Sequence, residues 1–598
     1  MFIVKSKPVE SKPQAVEAVK KMAADIDRLV LDGLKKSNVK PNQKTSDEQF
    51  LRRVYLDVTG SIPSYRETMK FLGSKDPDKR AKLIDELLSG EGYASHFYNY
   101  WADVLRYKDT LSNDVRGEPF RQWLKQSLAE NKPWNKMVYE MLIADGLIWD
   151  NPATGYFQRD PGMPLDVMNN TVRIFLGTRI GCAQCHDHPF DRWTQREFYE
   201  IAAFTFGTTN GTYGGDKRFF PEDPNKRLQD EYSGIVQEEE DRRNNSYRFN
   251  RMINVNMRLI NDQERKITLP KDYQYSNGKP GEVVAPKTLF GPAADIKPGE
   301  PPRKAFARWV VSKDNPRFAK TISNRLWKQV FGAGQFEPVD DLMDDSKPEN
   351  PELMEYLEST MKRINFNMKE YVRILLNTEA YQRQSSSIDI AGTDRYHFPG
   401  PVMRRMTAEQ AWDSFVTLAV DEVEYHEQPA TMRTEPLAVN LEKASAMEIL
   451  EEDRKANQIE GQIGQIQSKY RYRGELLAKA SELPQPVPAN HFLRVFGQSD
   501  RELISASSTS GSVPQILFMF NGPVTHMLLE KNSTIYNNIT RKSSPAEGVR
   551  TAFLTVLSRS PDPEEMEVAL AEVKEKGLPG FGNVVWSLVN TREFLFIQ

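Results

Sequence analysis

Both cysteines of this 598-residue chain fall within five residues, Cys182-Ala183-Gln184-Cys185-His186. Two thiols at this spacing can add across the two vinyl groups of one haem. The histidine directly after the second thiol can then ligate the iron from the proximal side. Chance is a poor competitor. Two cysteines placed at random take this spacing in roughly one chain in 300, and requiring one of the seven histidines next door takes that to about one in 25,000.

Three other chemistries fit the residue types. A C-x-x-C pair can cycle between dithiol and disulfide, because the spacing lowers a thiol pKa. The thiols could be half of a zinc site completed by His186 and His188. They could also pack as small hydrophobes with no chemistry. The zinc reading is strained, since all four ligands would lie within seven residues and the chain has no remote cysteine to close the site. The dithiol reading expects a thioredoxin-like βαβ context, whereas the flanks here carry helical periodicity.

The residues after the motif are Asp187-His188-Pro189-Phe190-Asp191-Arg192-Trp193. Asp187, His188 and Asp191 could orient His186 or its backbone. They could instead hold a metal or a proton-active substrate, or Asp191 and Arg192 could simply close a turn. The sixth iron position has candidates in His96, Met163 and Met168; His188 is tethered too closely to His186 to reach the opposite face. A methionine there would raise the potential and suit electron transfer. Met168 also reads as core, because it lies on an apolar helical stripe. Asp340, Asp341, Asp344 and Asp345 form an acidic cluster with Glu337 nearby. The spacing matches no EF-hand, so capping or a solvated loop explains it better than calcium.

Helices position these residues. One is expected over Gln14–Leu34. Ser46 caps the next, with Phe50, Leu51, Val54 and Tyr55 on one face and a stop near Gly60. Ser64 with Glu67 forms a capping box, as does Thr194 with Glu197. Leu83, Ile84, Leu87 and Leu88 mark a helix stopped by Gly90, and Tyr93–Tyr107 an aromatic-rich one. Leu165, Met168, Val172, Phe175 and Leu176 lead straight into the cysteines, so the motif is expected on a helix end and loop between two helices. Residues 207–300 are rich in Gly, Pro, Asn and charge. They read as long loops, a polar helix near 226–263 and short strands at Ile267–Leu269 and Val283–Val284. Helices resume over 303–385. Residues 440–482 read as a polar, solvated hairpin or protruding arm, and Pro484, Pro486 and Pro488 as a hinge or linker. Asn377-Thr378 before Tyr381 echoes Asn590-Thr591 before Phe594, which reads as shared turn grammar.

A net charge of −3 gives no basic footprint for nucleic acid. No run of 18 apolar residues exists, so no membrane span is expected. Met1–Val4 is too short for a signal core. Haem attachment to such motifs takes place outside the bacterial cytoplasm, so residue 1 is expected to begin a mature or engineered form; the alternative is a protein that stays in the cytoplasm, where haem would not be attached by that route.

Several long segments resemble the planctomycete-type cytochrome C domain proteins, in which an N-terminal domain with a haem-binding-like motif precedes a C-terminal domain of unknown function. In the first domain the resemblance rests on DEQFLRRVYLDVTGSIPS (47–64), YWADVLRY (100–107) and FLGTRIGCAQCHDHPFDRWTQREFYEIAAF (175–204). In the second it rests on NPRFAKTISNRLWKQVFGAGQFEPVDD (315–341), NPELMEYL (350–357), ILLNTEAYQ (374–382), RRMTAEQ (404–410), FGQSDRE (496–502), FMFNGP (518–523) and LSRSPDPEE (557–565). The resemblance implies export, and it implies no established activity.

The expected protein is mainly α. Residues 1–45 form a polar, helical lead. Residues 46–206 form a helical cytochrome-C-like domain, 207–300 a loop-rich insertion, and 301–598 a helical C-terminal domain with a polar insertion at 440–482. It is expected to be an exported, periplasmic c-type cytochrome-like protein with one covalent haem c. Cys182 and Cys185 would form the thioethers and His186 would be the iron ligand. Its role would be electron transfer or a haem-dependent redox reaction with a partner protein or small-molecule substrate. The alternatives are a scaffold with a structural haem and a metal-dependent hydrolase using His186, Asp187, His188 and Asp191.

Overall fold

The computed structural model describes residues 15–111, 115–212, 223–235, 239–387, 395–421, 423 and 438–598. It is 55% helix and 5% strand, a mainly α fold. The first helices start and stop where their side chains dictate. Helix Asp47–Thr59 begins at Ser46, whose hydroxyl accepts from the Gln49 amide at 3.3 Å, and ends at Gly60 with φ 74°. The capping boxes Ser64–Glu67 and Thr194–Glu197 are both formed. The lead helix runs Val16–Lys36, and the aromatic one Glu91–Val104.

Apolar burial divides these helices into three cores. The largest draws mainly on residues between Val19 and Val402, and its centre is aromatic. Trp101 stacks on Trp134 at 4.0 Å and Trp327 on Phe331 at 3.9 Å. Helices Pro302–Val310, Phe318–Phe331, Pro351–Arg363 and Met368–Leu376 all share this core with the N-terminal helices. The second core is built from residues 406–597 together with Leu56 and Ile62. The division between these two cores falls at 402–406. A third, small core joins Leu228, Phe249 and Met252 to Leu441, Ile449 and Leu450. Helix Ala446–Ser468 is thus anchored over its first turns, while its later residues are largely exposed and lead into the hairpin Arg471–Tyr472/Glu475–Leu476.

The middle region departs from expectation in one more respect. Arg258–Asp262, read above as the tail of a polar helix, is the central strand of a three-stranded antiparallel sheet. It pairs with Gly146–Leu147 on one side and Thr208–Thr212 on the other. Ile267–Leu269 and Val283–Val284 contribute only an isolated bridge, Thr268 to Val283. Arg303, fully buried, fastens this sheet. Its Nε and Nη2 donate to the two carboxylate oxygens of Asp262 at 3.0 and 2.7 Å, and its Nη1 to the carbonyls of Leu142 and Ala144 at 3.2 and 2.6 Å.

Helix Asp47–Thr59 belongs to two cores at once. Phe50, Leu51 and Val54 face the first, and Leu56 the second. Its adjacent arginines reach turns in both, and Arg53 Nε also donates to the carbonyl of Gln598 at 2.5 Å. Arg53 donates to the carbonyls of Tyr381 and Arg383 and lies over the Tyr381 ring. Arg52 donates to the carbonyls of Val556 and Phe594 and lies over the Phe594 ring. The two turns they read are the echoed segments. In each, the threonine hydroxyl donates to the carbonyl three residues back at 2.7 Å and accepts from the aromatic residue's amide at 3.1 Å.

Candidate functional site

Helix Pro164–Leu176 ends at Gly177, whose φ of 57° is left-handed. A Cβ there would sit 3.0 Å from Thr321 Oγ1 and 3.1 Å from Leu342, so the glycine permits both the turn and the close approach. The Leu342 amide donates to the Gly177 carbonyl at 2.7 Å. The chain then enters a 3₁₀ turn, Gly181–Gln184. This turn explains the motif's spacing. With three residues per turn, positions three apart eclipse, so Cys182 and Cys185 emerge on the same side. The Cys185 amide donates to the Cys182 carbonyl at 3.2 Å, and Ala183 is fully buried on the opposite side. Both thiols are free and exposed.

His186 follows on the exposed side. Its Nδ1 lies 2.8 Å from the Asp187 carbonyl. A carbonyl only accepts, so Nδ1 is the donor in this contact, which leaves Nε2 as the ring nitrogen that can ligate. The same hydrogen bond fixes the ring's orientation, the usual device for a metal-ligating imidazole.

The loop is stitched to the helix that follows. Gln195, at the first position of Gln195–Ala202, donates from Nε2 to the carbonyls of Gln184 and Cys185 at 3.2 and 3.0 Å. Its backbone amide donates to Asp187 Oδ1 at 2.8 Å, and the Asp187 amide donates to the Tyr275 hydroxyl at 2.7 Å. Burial, then the neighbouring Cys185, raises the Tyr199 phenol above its ordinary range. Gln195 and Tyr275 were not singled out from the sequence. A glutamine just after a capping threonine carries no signal of its own, and Tyr275 lies 88 residues from its partner.

The expected supporting residues are differently employed. Asp187 steadies His186 through its backbone carbonyl, while its carboxylate faces Gln195. His188 Nδ1 accepts from the Phe190 amide at 3.3 Å, and Asp191 accepts from the Arg192 amide at 2.8 Å. Among the described residues no group of three or more His, Cys, Asp or Glu side chains converges to hold a metal ion. The Asp187 and Asp191 carboxylates each accept from a backbone amide, of Gln195 and of Arg192.

The acidic cluster is matched by arginines. Asp340 accepts from Arg173 at 2.6 Å and Arg179 at 2.7 Å; Asp344 accepts from Arg192 at 2.5 Å and Arg317 at 2.8 Å. Glu337 is taken by Lys328 and the Gly334 amide. Burial opposes charge on Asp340, but Arg173 and Arg179 outweigh it and hold the carboxyl below its ordinary range. Asp341 goes the other way, raised by burial against a partial offset from Arg179. These pairs tie the motif's flanks to residues 340–344, which solvation of an acidic loop would not do.

Met168 is fully buried in the large core and Met163 is half-exposed before its helix. His96 packs on Gly60 and against the Phe97 ring. Burial, then Arg404, pushes its pKa down to about 4. Among the described residues no hydrogen bond, ion pair or ring contact joins any of the three to residues 182–186.

Two family models match the chain. PSCyt2, described as a protein of unknown function (DUF1549), covers residues 25–210. PSD1, described as a protein of unknown function (DUF1553), covers residues 302–573. The pair fits the planctomycete cytochrome-C-type domain architecture. The cysteine motif lies inside the PSCyt2 match, and the arginine-matched acidic cluster inside the PSD1 match. The site thus draws on residues of both matched regions. No curated protein and no solved structure matches the chain. No described helix is long and apolar enough to cross a membrane.

Proposed function

We propose that this chain is an exported single-haem c-type protein that transfers electrons or supports a haem-dependent redox reaction with a separate partner or substrate. The observation that carries the reading is the 3₁₀ turn, which presents Cys182 and Cys185 on one exposed side with His186 beyond them. That donor set fits the group: two accessible thiols for the thioethers, and an imidazole whose Nδ1 proton is engaged so that Nε2 can ligate. Bound there, a haem would supply one-electron chemistry. The protein's own part is to hold the attachment turn still. Gln195 clamps two of its carbonyls, Tyr275 holds the Asp187 amide, and Arg192 and Arg317 tie the following loop to Asp344.

The test is intact mass together with a reduced-minus-oxidised visible spectrum, on protein exported by a host with haem-attachment machinery. One haem of added mass and a sharp reduced α-band are expected, both lost in the Cys182→Ala/Cys185→Ala variant. An unmodified mass with two free thiols in exported protein overturns the reading. The scaffold reading keeps one supporting observation, the ion pairs that join the motif's flanks to Asp340 and Asp344 of the second matched region. A covalent haem that no reductant or redox partner reduces would favour it.

A further inference from the structure

Helix Val513–Asn521, with the sequence VPQILFMFN, has two apolar faces. One is spent inside the molecule: Met519 is buried, and the Phe518 ring meets Phe492 and Phe496. The other is open. Val513, Ile516, Leu517 and Phe520 recur at the helical i, i+3, i+4, i+7 spacing and are 68%, 54%, 55% and 44% exposed. Soluble helices place polar residues on such a face, so this stripe asks for a partner.

The stripe is continuous with a second helix. Phe520 packs on Trp586 of helix Leu578–Val589 at 5.3 Å between ring centroids. Gly582, one turn earlier on that helix, lies in reach of Leu529, and Leu578 a turn before it is exposed. The exposed apolar surface of these residues is on the order of 500 Å², at the upper end of what a monomer shows. Pairing two such patches buries on the order of 1,000 Å² of apolar surface before any polar rim is added, which reaches the range of specific interfaces.

Charge selects the occupant. Neither VPQILFMFN nor LPGFGNVVWSLV contains a charged residue. A lipid surface is recognised by helices with Lys and Arg flanking the apolar face. An electron-transfer partner of opposite charge would be met by a charged patch. An uncharged apolar stripe is complementary above all to itself, as a two-fold interface requires. We propose that helices Val513–Asn521 and Leu578–Val589 form the self-association face of a homodimer of this chain. The proposal stands independently of the haem reading, because it uses no residue of the motif.

Sedimentation velocity of the full chain, from nanomolar to tens of micromolar, tests it. The wild type is expected to pass from monomer to dimer within that range. Ile516→Lys places a charge at the patch in both copies and should weaken association on the order of 10²–10³-fold. Met69→Lys, which alters an exposed apolar residue on another helix, should leave it unchanged. Circular dichroism and thermal melts confirm that both variants fold, and Phe520→Lys serves if Ile516→Lys does not. A wild type that stays monomeric throughout overturns the proposal, as does a dimer that Ile516→Lys and Phe520→Lys both leave intact. Co-sedimentation of a monomeric wild type with phosphatidylglycerol vesicles would overturn it in favour of a membrane.

Discussion

Replacing Asp340 with Asn tests whether the arginine-matched cluster holds the attachment turn. Asp340 is almost fully buried and accepts from Arg173, on the helix that leads to the motif, and from Arg179, three residues before Cys182. Each charge-assisted bond is worth about 1.5–3 kcal/mol when well desolvated. Arg173 and Arg179 are 27% and 39% exposed, so solvent screening discounts the sum. Asparagine also keeps one acceptor oxygen. A loss of about 2 kcal/mol at pH 7 is expected in urea unfolding. The pH dependence has a definite sign. The folded carboxyl titrates below its ordinary value, so its stabilisation is complete above about pH 4, near the unfolded pKa, and is lost as pH falls through the folded one. The gap between wild type and variant should therefore persist from pH 7 to about 4 and shrink as the pH falls further, through the lowered folded pKa. The turn itself supplies a local readout: thiol-reagent rates at Cys182 and Cys185 in haem-free protein should rise in the variant. A loss under about 0.5 kcal/mol at pH 7, or a gap undiminished in acid, would refute the reasoning.

Arg303→Met keeps the apolar stem but strands the Asp262 carboxylate and two carbonyls, and should cost about 3–5 kcal/mol in denaturant unfolding; a cost below about 1 kcal/mol would mean that water replaces the guanidinium. His96 is neutral when folded, its pKa pushed down to about 4 from an unfolded value near 6.5, so the unfolded chain binds the extra proton and stability falls as pH drops between those values. His96→Gln should remove about 3 kcal/mol of that acid sensitivity between pH 7 and 4, measured as the change in unfolding free energy against pH. Gly177→Ala forces a left-handed alanine into 3.0–3.1 Å contacts with Thr321 and Leu342; about 1–3 kcal/mol of lost stability is expected from thermal melts, and an unchanged melting temperature would contradict the tightness of that approach.

What the sequence exposes here is what neighbours in the chain decide. Ser46, Ser64 and Thr194 cap helices because a hydroxyl reaches an amide three residues on, and Gly60 stops one because it tolerates positive φ. Thr378 and Thr591 make identical turns for the same local reason. What it hides depends on partners far away. Arg258–Asp262 becomes a strand because Gly146–Leu147 and Thr208–Thr212 arrive to pair with it. The proline-rich stretch reads as a hinge or linker until Asp109 is seen to accept from the Gln485 amide at 2.9 Å and donate its own amide to the Gln485 carbonyl at 2.7 Å. The first turns of the polar arm are anchored by Ile449 and Leu450 against Leu228 and Phe249, pairs separated by some 200 residues. At the site, residue types and spacing identify Cys182, Cys185 and His186. The Gln195 clamp and the arginines around Asp340 depend on packing that no local pattern encodes.

Arg52 and Arg53 sit side by side on one helix, yet each closes a turn in a different core. Melting helix Asp47–Thr59 would therefore strip both cores of a guanidinium and of apolar cover in the same event. The two halves are expected to unfold together, as one transition in urea. A fragment ending near residue 402 would keep Arg52 with nothing to read and Leu56 bared to water, and a fragment starting there would lack the helix that seals it. Exchange of the two regions between relatives is constrained in the same way: a new C-terminal half must arrive with a turn that fits Arg52.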